Sequence, residues 1–216
     1  MISDWDIIRH LLRREFHIGR NASVLQSVAF FLLACLLFAF HLGSTQDFAP
    51  VIIWVLFMLA FMFGNTNMFV HDHQSDILAQ LWLGNVPLFY IVLTRIFATW
   101  VVRVGSLILA LPIAGIWLQM PTQQFVASMA CLAIAGLGGS ASVVAMNTLI
   151  ARKGASAVFV MLLVFPLLIP LMIFGISASM GTDIIIGQAF YLLVAISLGS
   201  TLICVPAAIV ALRSNL

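Results

Sequence analysis

Chemistry in this chain has to come from few side chains. Its 216 residues carry nine Lys+Arg, seven Asp+Glu, five His and three Cys. The acids are Asp4, Asp6, Glu15, Asp47, Asp72, Asp76 and Asp183. None is paired with another inside an apolar run, as an acid/base dyad or an intramembrane proton relay requires, so a proton- or sodium-coupled transporter lacks its usual carboxylate. No G-x-x-x-x-G-K-[ST] phosphate loop occurs. The one lysine, Lys153, follows Arg152 without a glycine-rich turn, so this chain has no such route to ATP hydrolysis. His71-Asp72-His73 puts two imidazoles about 200° apart on a helix with no further ligand nearby, which does not make a metal site. Cys35, Cys131 and Cys204 stand alone in hydrophobic runs and read as small packing residues.

Four positions remain as candidates for a path or a hinge. Arg103 is a charge inside an apolar run, either snorkelling toward the inner surface or facing a polar route. Asn147 resembles Asn65 and Asn67 in being able to bond between helices or to line a path. Pro166 and Pro170, in Phe165-Pro166-Leu167-Leu168-Ile169-Pro170, free backbone carbonyls and mark either a kink or a moving part. Gly136, Gly138, Gly139 and Ser140 permit close helix approach. His41, at the end of an apolar run, reads as a wetted interfacial side chain.

The elements that position these residues follow from composition. The chain is 63% hydrophobic and 7% charged, against about 45–50% and about 25% in soluble domains. That excludes a soluble enzyme, and it is the reverse of the signature of disorder. Apolar runs of ~18 residues or more predict six helical spans at about 24–40, 48–70, 88–118, 125–151, 155–177 and 186–212. Period-two alternation is absent, so the predicted fold is an all-α integral membrane protein with one membrane-embedded domain over 1–216. Arg9, Arg13, Arg14, Arg20, Arg152, Lys153 and Arg213 all fall on one side if both termini are inside, and the outer connections hold no Lys or Arg. The expected topology is therefore N-in, C-in.

Residues 1–21 are predicted to form an interfacial helix. Ser3 and Asp6 have capping-box spacing. Trp5, Ile7, Ile8, Leu11, Leu12, Phe16 and Ile18 occupy one half of the wheel; Arg9, His10, Arg13, Arg14 and His17 occupy the other, with Glu15 as the exception. Its arginines are available to lipid phosphates or to a protein docked below. Between spans two and three, Ile77, Leu78, Leu81 and Trp82 recur at helical spacing behind Ser75 or Asp76, which predicts a short inner helix parallel to the membrane. A surface loop fits the same pattern.

Ile52-Ile53-Trp54, the stretch 69–88 with Asp72, Leu78, Gln80-Leu81 and Pro87-Leu88, and Leu163-Val164-Phe165-Pro166-Leu167-Leu168-Ile169-Pro170-Leu171-Met172-Ile173-Phe174-Gly175 together resemble the cytochrome c maturation protein B family (CcmB, a haem-exporter component). Length, span number and the amphipathic N-terminus match as well. Asp76 stands where the family usually has glycine, and Ala79 where it has a glutamate before the glutamine, so a partner contact through that glutamate has to be remade here. The resemblance implies an ABC-transporter permease subunit in a bacterial inner membrane, with a mitochondrial inner membrane as the other setting. The implied partners are a CcmA-type ATPase, the haem-handling protein CcmC and the small protein CcmD, with two copies of the permease serving two ATPase subunits and no role for nucleic acid. Haem is then a transported substrate and no cofactor is bound. Coupling to the ATPase would run through Asp72, Gln74, Asp76, Leu78, Gln80 and Leu81, with Arg9 and Arg13 of the interfacial helix. The output would be haem export or release of a haem-loaded chaperone. A permease for a polysaccharide, lipid or drug and a non-transporting scaffold for the ATPase share this architecture.

Overall fold

The computed structural model describes residues 22–42, 48–65, 88–150, 157–181 and 187–215, and all of the regular structure among them is helical. The chain is an all-α, multi-pass integral membrane protein. Its helices are α1 (Ala22–Leu42), α2 (Ala49–Asn65), α3 (Leu88–Thr99), a π segment (Trp100–Val104), α4 (Gly105–Trp117), α5 (Thr122–Ile150), α6 (Ala157–Met180) and α7 (Gln188–Asn215). α3, the π segment and α4 run on as one element, Leu88–Trp117, so the helices fall on the six predicted apolar runs. Five are long and apolar enough to cross a membrane, while the described apolar part of α2, Ala49–Phe63, is shorter. The predicted interfacial helix and the predicted inner helix lie outside the described residues.

The distribution of side chains is that of a bundle dissolved in lipid. Large apolar residues point outward, among them Phe40 on α1, Leu109 on α4 and Leu202 and Ile203 on α7. Small and polar residues point inward: Ser128, Ser140 and Ser142 on α5, Ser179 on α6 and Ser197 on α7 are all buried. With lipid tails as apolar as leucine, burying leucine between helices gains little, so close backbone approach and interhelical hydrogen bonds supply the attraction instead.

α5 is the hub, with its most extensive contacts to α7 and α6. Three glycines within four residues explain how it serves several neighbours. A Cβ on Gly136 would lie 2.5 Å from Val104 of the π segment. One on Gly138 would lie 3.0 Å from the Ser197 backbone of α7, and one on Gly139 would lie 3.3 Å from Leu168 of α6 and from Phe61 of α2. Each glycine is thus a notch for a different helix. Ser197 goes further: its hydroxyl donates to Ile134 O at 2.6 Å and accepts from Gly138 N at 3.2 Å. It bridges two α5 groups that stand one helical hydrogen-bond step apart, so α7 is stitched into the backbone of α5.

α2 and α6 meet by the opposite device, a large ring on a glycine. Trp54 is fully buried, and a Cβ on Gly175 would overlap its ring. The indole Nε1–H donates to Ser179 Oγ at 2.9 Å, and Ser179 donates in turn to Gly175 O at 2.8 Å. Two of the segments that carry the family resemblance therefore meet in space.

Candidate functional site

The third span carries a line of buried polar residues that includes two arginines. Arg95, Thr99 and Arg103 are all buried. In an unbroken α-helix, eight residues at ~100° each would leave Arg103 about 80° around the axis from Arg95. The Trp100–Val104 π segment changes this: the Gly105 amide closes on Trp100 O, five residues back. Each step of a π turn rotates less than an α step because an extra residue is absorbed, which swings Arg103, inside the segment, back toward the Arg95 side of the helix. Hydroxyls bracket the segment, Thr99 Oγ1 donating to Arg95 O at 2.8 Å and Ser106 Oγ to Arg103 O at 2.8 Å. Its seat on α5 is fixed at two points, by the Trp100 indole donating to Ala133 O at 2.9 Å and by Val104 in the Gly136 notch.

Arg103 itself is 5% exposed, and its Nε and Nη1 are buried without a hydrogen-bond partner among the described residues. It lies fifteen residues from Leu88 and fourteen from Trp117 (103 − 88 and 117 − 103), roughly 20 Å along the helix from either end. Of the two readings of this residue, snorkelling requires the guanidinium to reach water, and here it stays inside the bundle at mid-span. None of the described residues is an Asp or Glu, because all seven acids lie in other segments. The described residues thus present a buried cation without a carboxylate among them.

The other candidates are not gathered around it. Asn147 is buried, but its Nδ2 donates to Val143 O of its own helix at 2.8 Å. It is eleven residues along α5 from Gly136, where the π segment packs, which is about 16 Å at ~1.5 Å per residue. Pro166 lies on the exposed side of α6 and Pro170 is half-buried, and the helix continues through both. His41 is exposed at the end of α1. The cysteines are free and buried, as small packing residues should be. Asp72, Gln74, Asp76, Leu78, Gln80, Leu81, Arg9 and Arg13 lie outside the described residues.

Arg103 stands out in the sequence but the π segment does not, since apolar periodicity looks the same on either side of one inserted residue. Trp54 and Gly175 both belong to segments that carry the family resemblance, yet spacing along the chain does not pair them. The signal available there was Gly175 and Ser179 at i, i+4, a small-residue face that needs a large partner.

Comparison with known proteins covers nearly the whole chain. The chain is 28% identical over 224 residues to Heme exporter protein B of Bradyrhizobium diazoefficiens, covering 97% of each chain. The identity to Heme exporter protein B of Haemophilus influenzae is 30% over 220 residues, covering 97% of this chain and 99% of that one. To the protein of that name in Paracoccus denitrificans it is 31% over 205 residues, covering 88% and 90%. The family model described as CcmB protein matches residues 5–215, and the chain belongs to the CcmB family.

Proposed function

We propose that this chain is the membrane-embedded permease subunit of an ABC-type complex in cytochrome c biogenesis, where it serves haem export or the release of a haem-loaded chaperone. The observation that carries the reading is the match, over nearly the full length of both partners, to proteins named Heme exporter protein B. With no phosphate loop in the sequence, the energy comes from a separate CcmA-type ATPase, and the permease is no enzyme. CcmC-type and CcmD-type proteins complete the complex, in which two copies of this chain face two ATPase subunits. The setting is a bacterial inner membrane, with the termini on the inner side where the basic residues gather.

In this reading the ATPase pushes on the connection between α2 and α3, through Asp72, Gln74, Asp76, Leu78, Gln80 and Leu81, with Arg9 and Arg13 as further contacts. The push has two ways into the bundle. α2 is pinned to α6 through Trp54, and α6 lacks two backbone donors at Pro166 and Pro170, so it bends there more readily than elsewhere. The third span starts directly after the connection and leads to Arg103. Deleting the gene for this chain in its host, then staining for covalently attached haem, tests the reading: c-type cytochromes should lose their haem and regain it on complementation. Unchanged attachment in the deletion strain sinks the proposal.

A further inference from the structure

Among the described residues, Arg103 carries the strongest unmet chemical demand. A guanidinium at mid-span, 5% exposed, with two nitrogens unpartnered among the described residues, costs several kcal/mol unless an anion joins it. The described helices contain no carboxylate to do so. The bundle nonetheless builds a seat for the residue. The Trp100 bond to Ala133 O and the Val104 contact at Gly136 fix the backbone on both sides of Arg103. The π turn swings it back toward the side of the helix that carries buried Arg95 and Thr99. Were the charge merely tolerated, an unbroken helix would satisfy its backbone better; π turns are uncommon and concentrate at sites of function.

We propose that Arg103 anchors an anion-binding site inside the bundle, which takes a carboxylate or phosphate carried on an amphiphilic molecule. The anion of such a molecule supplies a counter-charge that the described helices do not contain, and its apolar body suits a bilayer-embedded bundle. Guanidinium suits both headgroups, since its planar array of donors matches their oxygens. Two sources fit: the propionates of haem, which rests on the exporter reading above, and the phosphate of an anionic lipid, which does not.

The test is equilibrium binding to the full chain in phosphatidylcholine nanodiscs, with haem, haem dimethyl ester and phosphatidylglycerol as probes. The wild type should bind haem about 10- to 100-fold more tightly than the diester, the range expected for charged hydrogen bonds. Arg103→Met should abolish that preference, and Arg103→Lys should keep part of it. If phosphatidylglycerol displaces haem from the wild type but not from Arg103→Met, lipid is a source as well; a preference confined to haem names the cargo. Either result upholds the site. Equal binding of haem and its diester by the wild type, together with no preference for phosphatidylglycerol over phosphatidylcholine, overturns it. Should Arg103→Met fail to fold, Arg103→Lys carries the comparison, with about a tenfold smaller preference expected. Haem attachment to cytochromes is scored in cells, so it fails or succeeds independently: a dead anion site leaves the exporter reading standing, and normal attachment in the deletion strain leaves the lipid arm standing.

Discussion

The Trp54 contact between α2 and α6 and the Arg103 segment of the third span bury comparable side chains, each large and each tipped with N–H groups. At Trp54 every requirement is met locally: the ring lies on Gly175 and the Nε1–H reaches Ser179 Oγ. At Arg103 the backbone is held just as firmly, while Nε and Nη1 find no partner among the described residues. A site that is complete in itself stabilises the bundle. A site held rigid yet left incomplete is built for something that arrives from outside.

That contrast can be broken by measuring unfolding in detergent. Trp54→Ala should have the largest effect, about 3 kcal/mol or more, from the cavity under Gly175 and the loss of the indole bond to Ser179. A chain that unfolds at the wild-type midpoint would remove Trp54 from the architecture. Gly175→Val attacks the same contact from the other side by forcing methyl groups into the ring, and should cost about 2 kcal/mol, the range of an overpacked core. Combining it with Trp54→Phe should recover part of the loss if the two residues compete for one space. Smallest of all is Arg103→Met: removing a buried cation that has no carboxylate among the described residues should leave the unfolding midpoint unchanged or slightly higher. A fall comparable to that of Trp54→Ala would mean that Arg103 is a structural residue with an internal partner, and the contrast would collapse.

The parts of the fold that were legible in the sequence are those decided by solvent. Hydrogen bonding forbids irregular backbone facing lipid, so long apolar runs had to become helices, and the described helices lie on those runs. Gly136, Gly138 and Gly139 were readable as permission for close approach. Nothing in their order, however, says that Val104, Ser197 and Leu168 with Phe61 would take the three notches, because that depends on which spans lie beside α5. Arg103 was visible as an intramembrane charge, but its burial and its two nitrogens without a partner among the described residues were not. One inserted residue in a turn rotates every side chain beyond it without altering composition or hydropathy.

The sequence by itself therefore determined the solvent, the helices, the resemblance to the CcmB family and the absence of a phosphate loop, because each depends on residue type and local spacing. Only the tertiary structure decided that Trp54 pins α2 to α6, that α5 is the hub, and that the third span turns a guanidinium inward at its midpoint. Those outcomes depend on which groups from distant parts of the chain come within hydrogen-bond or van der Waals reach, and packing alone sets that.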